Sequence, residues 1–168
     1  FGPSYKIIST KKLQDAGYLA KLNIKVLLMK HQPQKFDTYE EEVQYIINNE
    51  KRNKFIKNLA HDLKGNTLIL YSRVATHGQV LFDLINIGNR KVFFVHGGVD
   101  AQEREEVRRI TETEKDAIIV ASFGTFSTGI NIKNLHNIIF ASPSKSRIRT
   151  LQSIGRVLRK GNNKVSAT

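Results

Sequence analysis

Four polar side chains near the carboxyl end, Arg149, Gln152, Arg156 and Arg159, recur at three- and four-residue steps. At about 100° per residue they gather within roughly a quarter-turn arc of a single helix. Crowding three guanidinium groups costs roughly 0.2–0.5 kcal/mol per adjacent pair, so such an arc calls for an anion supplied from elsewhere. A guanidinium matches phosphate oxygens bidentately and stabilises charge on a phosphoryl group in transfer. Gly155, beside Arg156, leaves room for another surface to approach. Ile148, Leu151, Ile154 and Leu158 make the apolar stripe expected to face the core. The competing reading of the arc is a solvated basic stripe.

Charge along the chain agrees with a polyanionic partner. Among 168 residues, 27 Lys and Arg face 15 Asp and Glu, a net charge of +12. The last acidic residue is Asp116; the 52 residues beyond it carry +8. A surface of one sign attracts polyanions and binds them by releasing counterions. There is no Cys, which excludes disulfides and Cys-based zinc sites. No apolar run approaches the roughly 20 residues of a membrane helix, and no signal-peptide pattern opens the chain. The chain starts at Phe1 and ends in a polar tail, which reads as an excerpt of a longer cytoplasmic polypeptide.

The elements that position these residues begin at Gly65. Four apolar runs, residues 67–71, 92–95, 117–121 and 137–141, are continuous rather than alternating. Strands covered by helices on both faces of a parallel sheet read this way. Helical patterns fill the gaps at 74–87 and 100–114, the second opened by Asp100 and Glu103 as a cap pair. The β-α-β alternation predicts an α/β fold with an open parallel sheet. Ligands bind beyond the carboxyl ends of such strands. There the sequence places Ser72-Arg73, His96-Gly97-Gly98, Ser122 with Thr125 and Gly129, and Ser142 to Lys145. Glycines and hydroxyls suit a phosphate backbone. Upstream, residues 22–30 read as a strand and Thr38 to Lys64 as a helical stretch capped by Thr38 and Glu41, both expected to pack in the core.

With these residues placed, the chain resembles the C-terminal RecA-like motor domain of superfamily-two helicases. Gln152-Ser-Ile-Gly155-Arg156-Val-Leu-Arg159 is similar to the sixth motif of that family, and residues 121–132 to the fifth. Thr67 to Arg73 resembles the fourth, and Val95-His96-Gly97-Gly98 the short element after it. The order and spacing of all four agree, over residues 65–161. The resemblance implies that residues 1–36 are a crossover segment and first strand from a preceding motor domain, with the RecA-like domain at 37–168. It implies that Arg156 and Arg159 act as arginine fingers on ATP held with Mg2+ mainly by an N-terminal RecA-like domain. Gln152, Gly129 and Asn131 are implied near the nucleotide. Position 131 departs from the family, which usually has Asp there. Ser72, Arg73, His96, Gly97, Ser122 and Thr125 are implied on the backbone of a DNA strand.

The implied activity is ATP-dependent unwinding or remodelling of branched DNA in recombination and repair. Neither a G-x-x-x-x-G-K-[ST] loop nor a D-E-x-[HD] box occurs here, so the fragment alone is expected to hydrolyse no ATP. Two alternatives stay open: a passive nucleic-acid-binding module, and the motor half of an RNA helicase. Gln152 and Leu158, where RNA helicases of the DEAD-box kind usually carry His and Gly, favour DNA.

Overall fold

The computed structural model describes residues 8–129, 132–161 and 164–168. Its centre is a four-stranded sheet of β2 (Thr67–Tyr71), β3 (Val92–Val95), β4 (Ile118–Ser122) and β5 (Asn137–Phe140), in the order β3-β4-β2-β5. Every pairing is parallel: Leu70 stands opposite Ala121 on one side and Phe140 on the other. A short parallel pair, β1 (Lys21–Leu22) with β6 (Ser166–Ala167), adjoins the β5 edge. Thr168 joins the two, accepting from the Ile138 N–H at 2.8 Å and donating to His136 O at 2.9 Å.

The central strands are apolar between their ends, and both faces of the sheet are covered. Leu68, Leu70, Ile119 and Ala121 point to one core, with Val107, Phe123, Phe126 and Val157. Ile69, Tyr71, Ile118 and Val120 point to the other, with Ile56, Ala60, Leu81 and Ile85. Alternate residues of one strand thus bury in opposite layers, as the strand's two-residue period requires. The first layer holds α5 (Ala101–Thr113), α6 (Phe123–Gly129) and α7 (Arg147–Val157); the second holds α3 (Glu50–Asp62) and α4 (Gln79–Ile85). Two further helices, α1 (Thr10–Asp15) and α2 (Tyr39–Ile47), precede them. The α/β parallel sheet with helices on both faces is as the sequence predicts.

Local signals hold where the partner is close in sequence. Thr38 and Glu41 form the expected capping box of α2, and Asp100 Oδ1 accepts from the Glu103 N–H at 2.7 Å to cap α5. The stretch 38–64 is two helices rather than one. Asn49 Oδ1 accepts from the Arg52 N–H at 2.9 Å, starting α3 afresh. Asn53 Nδ2 then donates to Ile47 O at 2.8 Å, closing the corner. The predicted helix from Val74 opens as a π-helical turn, Val74–Gly78, with the Gly78 N–H reaching Arg73 O at 2.8 Å.

The strand expected at 22–30 is corrected. Only Lys21 and Leu22 pair, with Asn23 adding one hydrogen bond to Ala167 O at 2.8 Å. Ile24, Val26 and Leu28 are 73, 79 and 90% exposed, not in the core. β6 is only two residues long, so the alternating pattern runs past its one available partner.

Candidate functional site

The carboxyl ends of β2, β4 and β5 open onto one edge, and buried polar bonds set its shape. Ser142 Oγ, just after β5, accepts from the Ser72 N–H at 3.0 Å and lies 2.9 Å from His77 Nδ1. Arg52 on α3 donates through Nη2 to Ala141 O at 2.5 Å. The hydroxyl therefore ties the exits of β2 and β5 together, and the guanidinium ties α3 to the β5 exit. His77 is fully buried, and its Nε2 has no hydrogen-bond partner. Burial, reinforced by the nearby Arg52 charge, pushes its pKa down to about 4 and keeps the ring neutral. A cleft of about 1120 Å³ beside this edge is lined by residues including Lys30, Lys51, Arg52, Ser142 and Ser144.

Ser72 and Arg73 are exposed at the β2 exit. Arg73 Nη2 is held 2.6 and 2.5 Å from the two carboxylate oxygens of Glu40, in the first turn of α2. The same turn carries Tyr39, whose ring lies 3.9 Å from Lys145 Nζ. The start of α2 therefore engages a cation from each of two strand exits. His96, half-buried after β3, accepts from the Gly98 N–H on Nδ1 at 3.1 Å and packs against Phe94 at 5.0 Å. Gly97 is exposed, and a Cβ there meets nothing within 4 Å.

Ser122 and Thr125 differ from the others. Both are buried, their hydroxyls lie 2.8 Å apart, and the Thr125 N–H donates to Ser122 Oγ at 3.2 Å. They cap the start of α6, so their hydroxyls are engaged within the turn. Gly129 ends α6, and Asn131 lies outside the described residues.

On α7 the structure places Gln152 on the exposed side, with Arg156 partly buried, whereas Arg159, expected on the same helix, lies two residues beyond its end, exposed and bridged to Leu19 because the helix stops at Val157. The Arg156 guanidinium carbon stands 5.5 Å from the centre of the Phe126 ring on α6. Partial burial, then the positive charge of Arg159, holds Arg156 below the usual arginine pKa range. The Phe126 contact places Arg156 at the junction of α6 and α7. A Cβ on Gly155 meets nothing within 4 Å, leaving that face open.

The expected core stripe of α7 is corrected in its first half. Ile148 and Leu151 are 70 and 55% exposed, while Ser153, Val157 and Leu158 are buried and Ile154 packs against the core. Only the second half of the helix lies over the sheet layer, so the wheel holds for two of the four positions. Sequence reasoning placed His77 at the exit of the first strand but passed over Arg52, Glu40 and the structural role of Lys164. Their partners lie far along the chain or on backbone atoms, and no spacing marks them.

The fold and this edge define a class of protein. The chain belongs to the family described as Helicase conserved C-terminal domain, whose profile matches residues 50–161. Over its whole length the chain is 41% identical to the ATP-dependent DNA helicase UvsW of Enterobacteria phage T4, spanning 35% of that protein. The crystal structure of T4 UvsW matches with a TM-score of 0.67 at 44% identity, over 80% of this chain and 28% of that one. Dbp5 of S. cerevisiae shares the fold alone, with a TM-score of 0.55 at 18% identity over 70% of this chain and 31% of its own. Among the described residues no helix is long and apolar enough to cross a membrane.

Proposed function

We propose that this chain is the C-terminal motor half, residues 37–168 preceded by a crossover segment, of an ATP-dependent DNA helicase that remodels branched DNA in recombination and repair. One observation carries the reading: Arg156, near the end of α7, lies against Phe126 of α6, Gln152 is exposed on the same helix, and Arg159 is exposed two residues beyond its end. Guanidinium groups on an open face fit the terminal phosphates of a nucleotide held by a second domain. The similarity to a DNA helicase favours DNA over RNA as the strand.

In this reading an N-terminal RecA-like domain holds ATP and Mg2+, which together supply the phosphoanhydride bond and the metal charge. This chain's part is to orient and to neutralise. Arg156 and Arg159 close on the γ-phosphate side when the domains approach, and Gln152 helps position the phosphate or water. Gly129 and Asn131 lie by the nucleotide. Ser72, Arg73, His96 and Gly97 follow the sugar–phosphate backbone, while Ser122 and Thr125 hold the shape of the loop between the two sites. Ser142 and His77 link the β2 and β5 exits, and Arg52 holds α3 to the second of them.

The test is Arg156→Ala in a polypeptide carrying both motor halves. Removing an arginine finger costs about 10³-fold or more in turnover, so hydrolysis should fall by that order while DNA binding stays. Unchanged hydrolysis counts against the assignment. Residues 1–168 alone should hydrolyse no ATP, and measurable turnover by them rejects the cross-domain site.

A further inference from the structure

Arg159 lies two residues beyond the end of α7, so its direction depends on how the chain leaves the helix. The last carbonyls of a helix have no partner inside it. Here Lys164, 4% exposed, donates from Nζ to Val157 O and to Arg159 O, the latter at 3.1 Å. Between them Leu158 O accepts the Ala20 N–H at 2.9 Å, and Leu19 bridges to Arg159. One ammonium and one amide from the segment before β1 thus fix three successive carbonyls. A cation at a helix carboxyl end is also favoured by the helix dipole. Burying an ammonium is costly: desolvation lowers the Lys164 pKa to about 8, with Glu112 opposing.

We propose that Lys164 is a positioning residue for Arg159. Its ammonium, clamped on the Val157 and Arg159 carbonyls beside the Leu19–Ala20 segment, sets the direction in which the Arg159 side chain leaves the backbone just past the helix end. The inference rests on the reading of Arg159 as a γ-phosphate partner.

The experiment is a double-mutant cycle of Lys164→Met and Arg159→Ala in the polypeptide carrying both motor halves. It reads kcat, KM for ATP, affinity for single-stranded DNA and thermal melting. A misplacement of about 1 Å costs up to about 100-fold, so Lys164→Met should lower kcat by about 10- to 100-fold with KM and DNA affinity little changed. Added to Arg159→Ala, it should lower kcat little further, because the group it positions is gone. If Arg159→Ala lowers kcat but Lys164→Met does not, or if the two effects multiply, the positioning role is overturned. If Arg159→Ala itself leaves kcat unchanged, the arginine-finger reading fails first and takes this one with it. Should Lys164→Met melt below the assay temperature, all four proteins of the cycle are assayed at a temperature below that melt, with the same outcomes.

Discussion

Arg73 and Glu40 form an ion pair in which one guanidinium nitrogen, Nη2, sits 2.5 Å from one carboxylate oxygen and 2.6 Å from the other. The cation at the β2 exit is therefore already engaged by α2, and an arriving phosphate has to displace a carboxylate. Both side chains are about half exposed, at 43 and 55%, so the pair is worth about 0.2–1 kcal/mol.

Glu40→Gln should accordingly raise affinity for single-stranded DNA by about two- to five-fold at low salt, with melting nearly unchanged. Fluorescence anisotropy against a labelled oligonucleotide measures it. Equal or weaker binding by the variant would mean that Arg73 does not meet the strand.

Two glycines at the same edge should separate stability from binding. A Cβ on Gly78 falls 2.4 Å from two ring carbons of the fully buried Tyr71, so Gly78→Ala overpacks the core and should cost about 1–3 kcal/mol. A Cβ on Gly97 meets nothing within 4 Å, so Gly97→Ala should melt like the parent yet bind DNA more weakly. Thermal melts and binding curves on both variants check this. A stable Gly78→Ala would show that the π-helical turn shifts freely, and full binding by Gly97→Ala would remove that residue from the strand path.

His77 should make the fold acid-sensitive. Its pKa falls from 6.5 to about 4 in the folded chain, so below 6.5 the unfolded state takes up the proton more readily. The stability gained from keeping the ring neutral is complete above pH 6.5 and is lost as pH falls toward about 4. At about 1.36 kcal/mol per pKa unit the loss is on the order of 3 kcal/mol. Denaturant unfolding of His77→Asn across this range should show a flatter pH dependence than the parent. Parallel curves would exclude His77 as the source.

By itself the sequence determined the elements and their polarity. Continuous apolar runs at 67–71 and 92–95, with two more downstream, define parallel strands covered on both sides. The glycine- and hydroxyl-bearing turns after them, together with the cationic helix at 147–157, mark the edge proposed for binding. These signals survive because strand burial, capping and helix periodicity act between residues a few positions apart. The tertiary structure alone decided which polar groups are engaged and with what. Arg73 meets Glu40 across 33 residues, and Ser142 meets Ser72 across 70. It also left Ile148 and Ile24 exposed where the periodic pattern placed them inside. Periodicity reports which residues share a face. Whether another element covers that face depends on chain folding over distances no local pattern encodes.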